Sequence, residues 1–171
     1  MTEVLSGLEI AHRIEQAFPG AVVEAAPEGA EVSVAALVDV CSHLRTDPGL
    51  AFDYLVSLTA VDRLYHFEVV YHIQSIGGNR LAVLKVKAPD REAPEVPSVT
   101  SVWWGAGLQE REAYDLMGIR FQGHPDLRRI FLWEGFAGHP LRKDWVGMPG
   151  GLMPGLERFP GDPGGELQGR G

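Results

Sequence analysis

Leu8, Ile10, Ala11, Ile14 and Ala17 recur at near-helical spacing, with Leu5 at the fringe, and Pro19-Gly20 closes the segment; the pattern predicts a first helix over residues 5–17. Glu9, His12, Arg13 and Gln16 fall together on its polar face. Residues 21–23 and 31–34 read as two short strands around the turn-forming Pro27-Glu28-Gly29. Leu37, Val40, Cys41 and Leu44 follow at i, i+3, i+4 and i+7, the apolar stripe of a second helix closed by Asp47-Pro48-Gly49. Cys41 sits on that stripe and reads as a small buried hydrophobe rather than a nucleophile.

The period then changes from helical to two-residue. Residues 54–61 are rich in strand formers, and Tyr65, Phe67, Val69, Tyr71 and Ile73 alternate with His66, Glu68, Val70, His72 and Gln74. This predicts a strand with one strongly apolar face and one solvated face. His66 and His72 share that second face, six residues apart, too far for one metal ion at about 3.3 Å per residue. Gly77-Gly78-Asn79 supplies positive-φ positions for a tight connection, and residues 81–86 return as the partner strand of a hairpin. After the break at Pro89, Pro94 and Pro97, Ser98 is placed to cap a short helical stretch through Val99, Val102 and Trp103. A further helix runs from about Leu108 to Leu116 and stops at Gly118. The fold class expected is α+β: a small mixed or antiparallel sheet with helices packed on it, followed by an extended C-terminal arm.

Composition narrows the function classes. A chain of 171 residues with 45% hydrophobic and 22% charged residues is one ordinary globular domain with an added arm. No window approaches the roughly 20 uninterrupted apolar residues of a membrane-spanning helix, and the start of the chain lacks the pattern of a signal or transit peptide. The formal net charge of −8 argues against generic nucleic-acid binding. One cysteine forms no internal disulfide and holds no iron-sulfur cluster or Cys-based zinc by itself. From Val146 to Gly171 the chain has 9 Gly and 4 Pro in 26 residues, which predicts a tail that is disordered or ordered only against a partner.

Residues 110–145 stand apart. Six acids and six bases are interleaved there, whereas the first 109 residues carry 14 acids and 7 bases. Balanced, interleaved charge favours salt-bridged packing over a single-sign ligand field. Phe121-Gln122-Gly123-His124-Pro125 recurs fifteen residues on as Phe136-Ala137-Gly138-His139-Pro140, each followed by a basic pair, Arg128-Arg129 or Arg142-Lys143. Two turns of similar design are implied. His124 and His139 with Asp115, Glu110 or Glu112 offer acid–base or metal chemistry in principle. No H-E-x-x-H helix, nucleophile elbow, P-loop or G-x-G-x-x-G turn accompanies them. Hydrogen-bonded turn histidines are the simpler reading, and the basic pairs are expected to meet carboxylates, within the chain or on another subunit, rather than a phosphate.

Four stretches in fixed order carry a resemblance: Pro97-Ser98-Val99-Thr100, the helix 110–119 (EREAYDLMGI), then 123–130 (GHPDLRRI), then 138–144 (GHPLRKD). They resemble the signature of the C-type, 30 kDa-type subunit family of proton-pumping NADH:quinone oxidoreductase, respiratory complex I. The likeness covers residues 97–144; residues 1–96 agree with the family's small α+β domain only in length and element types. Leu108 stands where relatives often carry Trp, and Glu134 where they often carry Asp.

The resemblance implies a division into a globular domain (1–96), a signature helical segment (97–118), an extended interface arm (119–145) and the tail (146–171). It implies a non-catalytic subunit of the hydrophilic arm that binds no cofactor itself; NADH, FMN, iron-sulfur clusters and quinone belong to other subunits. Its expected partners are the quinone-site subunit (D type) and the terminal iron-sulfur subunit (B type), other hydrophilic-arm subunits, and no nucleic acid. The expected place is peripheral, on the cytoplasmic face of the cell membrane. Carried over by position, Glu110, Arg111, Glu112 and Asp115 belong to the signature helix, and His124, Pro125, Asp126, Arg128, Arg129, His139, Arg142, Lys143 and Asp144 to the arm, as structural and interface residues. Similar subunits serve ferredoxin:plastoquinone oxidoreductases, a deazaflavin-dependent dehydrogenase and membrane-bound hydrogenases, so the electron donor stays open. Two other readings stand beside this one: a metal-dependent hydrolase using His124 and His139, and a module binding an anion on Arg128, Arg129, Arg142 and Lys143.

Overall fold

The structure, a computed structural model, describes residues 2–147; of the tail, only its first two residues fall within that range, and the rest lies outside the described residues. The elements run β1 (Glu3–Val4), α1 (Gly7–Ala17), β2 (Val22–Ala26), β3 (Gly29–Val32), a single 3-10 turn (Val34–Ala36), α2 (Leu37–Thr46), β4 (Tyr54–Asp62), β5 (Phe67–Ser75), β6 (Arg80–Ala88), β7 (Glu95–Pro97), α3 (Ala106–Met117) and β8 (Arg120–Gln122). Helices and sheets meet around one apolar core, as the α+β reading expects.

The main sheet has the order β2-β3-β6-β5-β4. β4, β5 and β6 form an antiparallel meander, and β6 offers its other edge in parallel to two strands end to end, β1 at Arg80 and Leu81 and β3 at Leu84 and Lys85. β4 closes the sheet on the other side, with a register shift at Val56 between Leu55 and Ser57. Its Leu58 N–H donates to the side-chain oxygen of Gln109 on α3.

α1 begins two residues later than the periodicity suggests, because Ser6 caps it and accepts from the Leu8 N–H at 3.3 Å. The inward face is Gly7, Ile10, Ala11 and Ile14, while Leu8 is exposed. Gly7 is there because the helix start touches the β2–β3 turn: a Cβ would lie 2.2 Å from the carbonyl oxygen of Ala26. The predicted polar face is real, with Arg13 on Glu9 at 3.3 Å and Gln16 beside His12 at 3.0 Å. α2 buries all four stripe residues, each contributing roughly 1.5–3 kcal/mol if a full-sized aliphatic, and burial pushes the Cys41 thiol far above its ordinary range.

Four expectations change. β5 starts at Phe67, so Tyr65 and His66 lie before it and Tyr65 is exposed. The predicted solvated face of that strand holds the buried Glu68 and Val70, because β5 is flanked by β4 and β6 and Arg63 reaches Glu68 at 2.8 Å; His72 is half-buried against the Ser57 hydroxyl at 3.1 Å. In the β5–β6 connection only Asn79 takes a left-handed φ (50°), and the two glycines do not. Residues 98–105 form turns rather than a helix, and Ser98 faces Glu110 instead of capping a helix.

Three strands escaped the sequence reading. β1 is two residues long and pairs with β6, while β7 and β8 are three residues each and pair in parallel, with α3 as their crossover. Pro97 within so short a run hides β7, and no period is readable in two or three residues.

Candidate functional site

α3 is the axis of the information-rich segment. It starts at Ala106 and ends at Gly118, whose φ of 76° is left-handed, and whose missing Cβ would lie 2.6 Å from both Arg142 Nη2 and His139 Nε2. Glycine there does two things: it stops the helix, and it lets the returning chain lie against the stop.

The helix presents successive polar side chains in different directions, each to a different partner. Glu110 is fully buried and reaches back to the turns before α3, accepting from Ser98 Oγ at 2.7 Å and the Val99 N–H at 2.8 Å. Burial pushes its carboxyl above the ordinary range, against the pull of Ser98, Val99 and His124. Those turns are also pinned by Trp103 Nε1, which donates to the Phe52 carbonyl at 3.0 Å, and by Arg45 on the Val102 carbonyl. Glu112 is exposed, at the rim of a shallow cleft between β4 and α3.

Arg111 and Asp115, one helical turn apart, hold residues 126–132. Arg111 donates to the carbonyls of Arg128 at 3.1 Å and Arg129 at 3.2 Å, and lies 3.8 Å from Asp126. Asp115, fully buried, accepts three consecutive backbone N–H groups, Ile130 at 3.0 Å, Phe131 at 2.8 Å and Leu132 at 2.9 Å, and Arg129 Nη1 at 3.0 Å. Burial alone would raise its pKa; the three N–H groups and the Arg129 charge outweigh that and hold it below the ordinary carboxylate range.

The two Gly-His-Pro turns clamp opposite ends of the helix. His124, whose side chain is almost fully buried, is 2.9 Å from the Gly107 carbonyl through Nε2 and accepts the Asp126 N–H at 2.9 Å on Nδ1, so Nε2 carries the proton. His139 Nδ1 is 2.9 Å from the Asp115 carbonyl and is therefore the protonated nitrogen. Burial, with Arg142 and Arg129 nearby, keeps the His139 pKa below the ordinary histidine value, so the ring is neutral at pH 7. Pro125 is exposed and shapes the first turn by following His124.

A second anchor, outside the signature, holds residues 142–144. Asp62, at the end of β4, takes Arg91 in a bidentate pair at 2.7 and 2.8 Å, the Lys143 N–H at 2.8 Å and the Leu64 N–H at 2.8 Å. The Arg91 guanidinium is the main reason the Asp62 carboxyl is held well below the usual carboxylate range. Arg91 also reaches Asp144 at 3.1 Å. Arg142 donates to the Met117 carbonyl at 2.7 Å, and both guanidinium carbons stand near the buried Phe67 ring, Arg91 at 4.8 Å and Arg142 at 5.0 Å from its centre.

The basic pairs thus have separate fates. Arg128 meets Asp126 at 2.9 Å on the surface and Arg129 meets Asp115, whereas Arg142 takes carbonyls and an aromatic ring, and the Lys143 side chain is exposed. They do not converge on one point, and both ring nitrogens of His124 hold backbone groups, which leaves the anion-binding and hydrolase readings without a site among the described residues. Asp62, Arg91 and Gln109 were not singled out from sequence, and Phe67 and Ser98 were named there only as a strand residue and as a helix cap within the signature run; Arg91 lies 29 positions from Asp62 in an aperiodic Pro-rich stretch, and no local signal links the two.

The chain is an α+β domain whose third helix is strapped down by the segment that follows it, with Arg111, Asp115, His124 and His139 each holding backbone groups. Residues 30–149 match the family described as respiratory-chain NADH dehydrogenase, 30 Kd subunit, and the chain belongs to that family. Similar proteins include the second C-type subunit of the NADH-quinone oxidoreductase of Rhizobium meliloti (strain 1021), 48% identical over 112 residues, covering 64% of this chain and 60% of that protein. The C-type subunit of the NADH-quinone oxidoreductase of Roseiflexus sp. (strain RS-1) is 42% identical over 147 residues, covering 82% and 84%. The chain spans about 60% of the length of the rhizobial relatives it matches. Among solved structures, a chain of the membrane-bound sulfane sulfur reductase, an archaeal respiratory membrane complex, shares the fold with a TM-score of 0.67 at 22% identity, over 81% of this chain and 85% of that one.

Proposed function

We propose that this chain is a non-catalytic structural subunit of the hydrophilic arm of a membrane-bound NADH:quinone oxidoreductase, binding no cofactor itself. It packs against the quinone-site subunit and the terminal iron-sulfur subunit and supports the geometry through which electrons pass from iron-sulfur clusters to quinone, coupled to proton translocation. The observation that carries this reading is the family match over residues 30–149, which takes in α3 and the whole strap. No helix among the described residues is long and apolar enough to cross a membrane, which accords with peripheral attachment, proposed on the cytoplasmic face. NADH, FMN, the clusters and quinone belong, on this reading, to other subunits.

The role follows from geometry rather than from a reacting group. Electron transfer depends on fixed distances between centres, and a rigid neighbour keeps them fixed. Phe131 and Leu141, both exposed, emerge from two turns tied to consecutive helix residues, the Asp115 carboxylate and the Leu116 carbonyl (3.1 Å from the Leu141 N–H). They give a partner an apolar footing beside the α3 terminus.

A tagged pull-down of the full chain from gently solubilised membranes of its host, read by mass spectrometry, tests this. Recovery with an iron-sulfur subunit and a quinone-site subunit is expected, and the remaining partners name the electron donor, whether NADH or that of a related complex. Recovery of the chain alone would remove the assignment.

A further inference from the structure

A segment that serves as an interface arm can reach its bound shape in two ways: folding on the partner, with the ordering cost taken from the binding free energy, or folding beforehand within its own chain. We propose that residues 119–145 are a strap that takes up its shape in the free chain, so that a partner meets a finished surface. The anchors are all internal. Asp115 receives three successive N–H groups, His124 and His139 each hold a backbone carbonyl at one end of α3, and Asp62 receives the Lys143 N–H beside its Arg91 pair. Four anchors spread over twenty residues, from His124 to Lys143, leave little backbone between them to fluctuate independently. Two of the acceptors, Asp115 and Asp62, are buried carboxylates, the kind that makes the stronger hydrogen bonds. Ile119, Phe121 and Phe136 add buried apolar surface along the same path.

The apolar residues left outside, Phe131 and Leu141, are thereby set in fixed positions before association, which removes most of the ordering cost from the binding step. The strap's shape stands on geometry alone; only its use in assembly rests on the proposed subunit role.

Hydrogen exchange on the purified full chain, with no partner present, tests it. The amides of Ile130, Phe131 and Leu132 should exchange at least about tenfold more slowly than in an unstructured peptide of the same sequence. In Asp115→Asn that protection should fall roughly tenfold or more, while the amides of β5 stay protected. Unprotected 130–132 amides in the unaltered chain, with β5 protected, would overturn the proposal, and so would an Asp115→Asn chain whose 130–132 protection is unchanged. Should that variant lose β5 protection as well, the unaltered chain decides the matter alone. A pull-down that recovers no partner leaves this exchange result untouched, so the two readings fail separately.

Discussion

Asp62 shows how one side chain can tie together parts of the chain that lie far apart in sequence. It is nearly inaccessible to solvent, closes β4, and joins the proline-rich stretch through Arg91 to the strap through Lys143. Removing it leaves the Arg91 guanidinium without its bidentate partner, so Asp62→Ala should lower the unfolding free energy by about 3–5 kcal/mol; a urea titration showing less than about 1 kcal/mol would mean that the anchor is idle. Its pKa in the folded chain lies below that in the unfolded chain, so its stabilisation is complete above about pH 4 and is lost as pH falls through the depressed folded value. The acid limb of the stability profile should be shallower in Asp62→Asn than in the unaltered chain, and identical limbs would refute the assignment. Sequence did not expose this anchor. The acid ends an ordinary strand and its partner sits in an aperiodic segment, whereas Asp115 and Arg129 were legible as charges within a balanced, interleaved run.

At the scale of elements, helices with a clean stripe were legible, as were strands of four or more residues, and strands of two or three residues were not. Leu37, Val40, Cys41 and Leu44 at i, i+3, i+4 and i+7 located α2, because a residue every turn must face the core. β7 and β8 exist through tertiary pairing, and three residues carry no period. The end of α3 was legible as Gly118, but not what it makes room for. Gly118→Ala should cost about 1–2 kcal/mol for the left-handed backbone, and more because the new methyl displaces His139 and Arg142. The expected outcome is a lower urea midpoint with loss of exchange protection in residues 139–144. An unchanged midpoint would show that the strap does not lie on the helix end.

The whole molecule separates what holds it together from what it offers. Its ion pairs and buried acids are used internally, and the large apolar side chains left on the strap's surface include Phe131 and Leu141. Phe131→Ser should therefore change the unfolding free energy by no more than about 0.5 kcal/mol while reducing the amount of chain recovered with its partners from solubilised membranes. Normal recovery would place the interface elsewhere. Residues 97–144 were recognisable as a signature from their fixed order of stretches; that the part after α3 folds back on that helix is a tertiary fact that no spacing encodes.

β4 is the terminal strand of the main sheet, and such a strand invites another to add to it. Here the register shift at Val56 interrupts its rim, and Gln109 occupies the outward N–H of Leu58. α3, the helix that carries the strap, thus also occupies part of the β4 edge at which another strand would add.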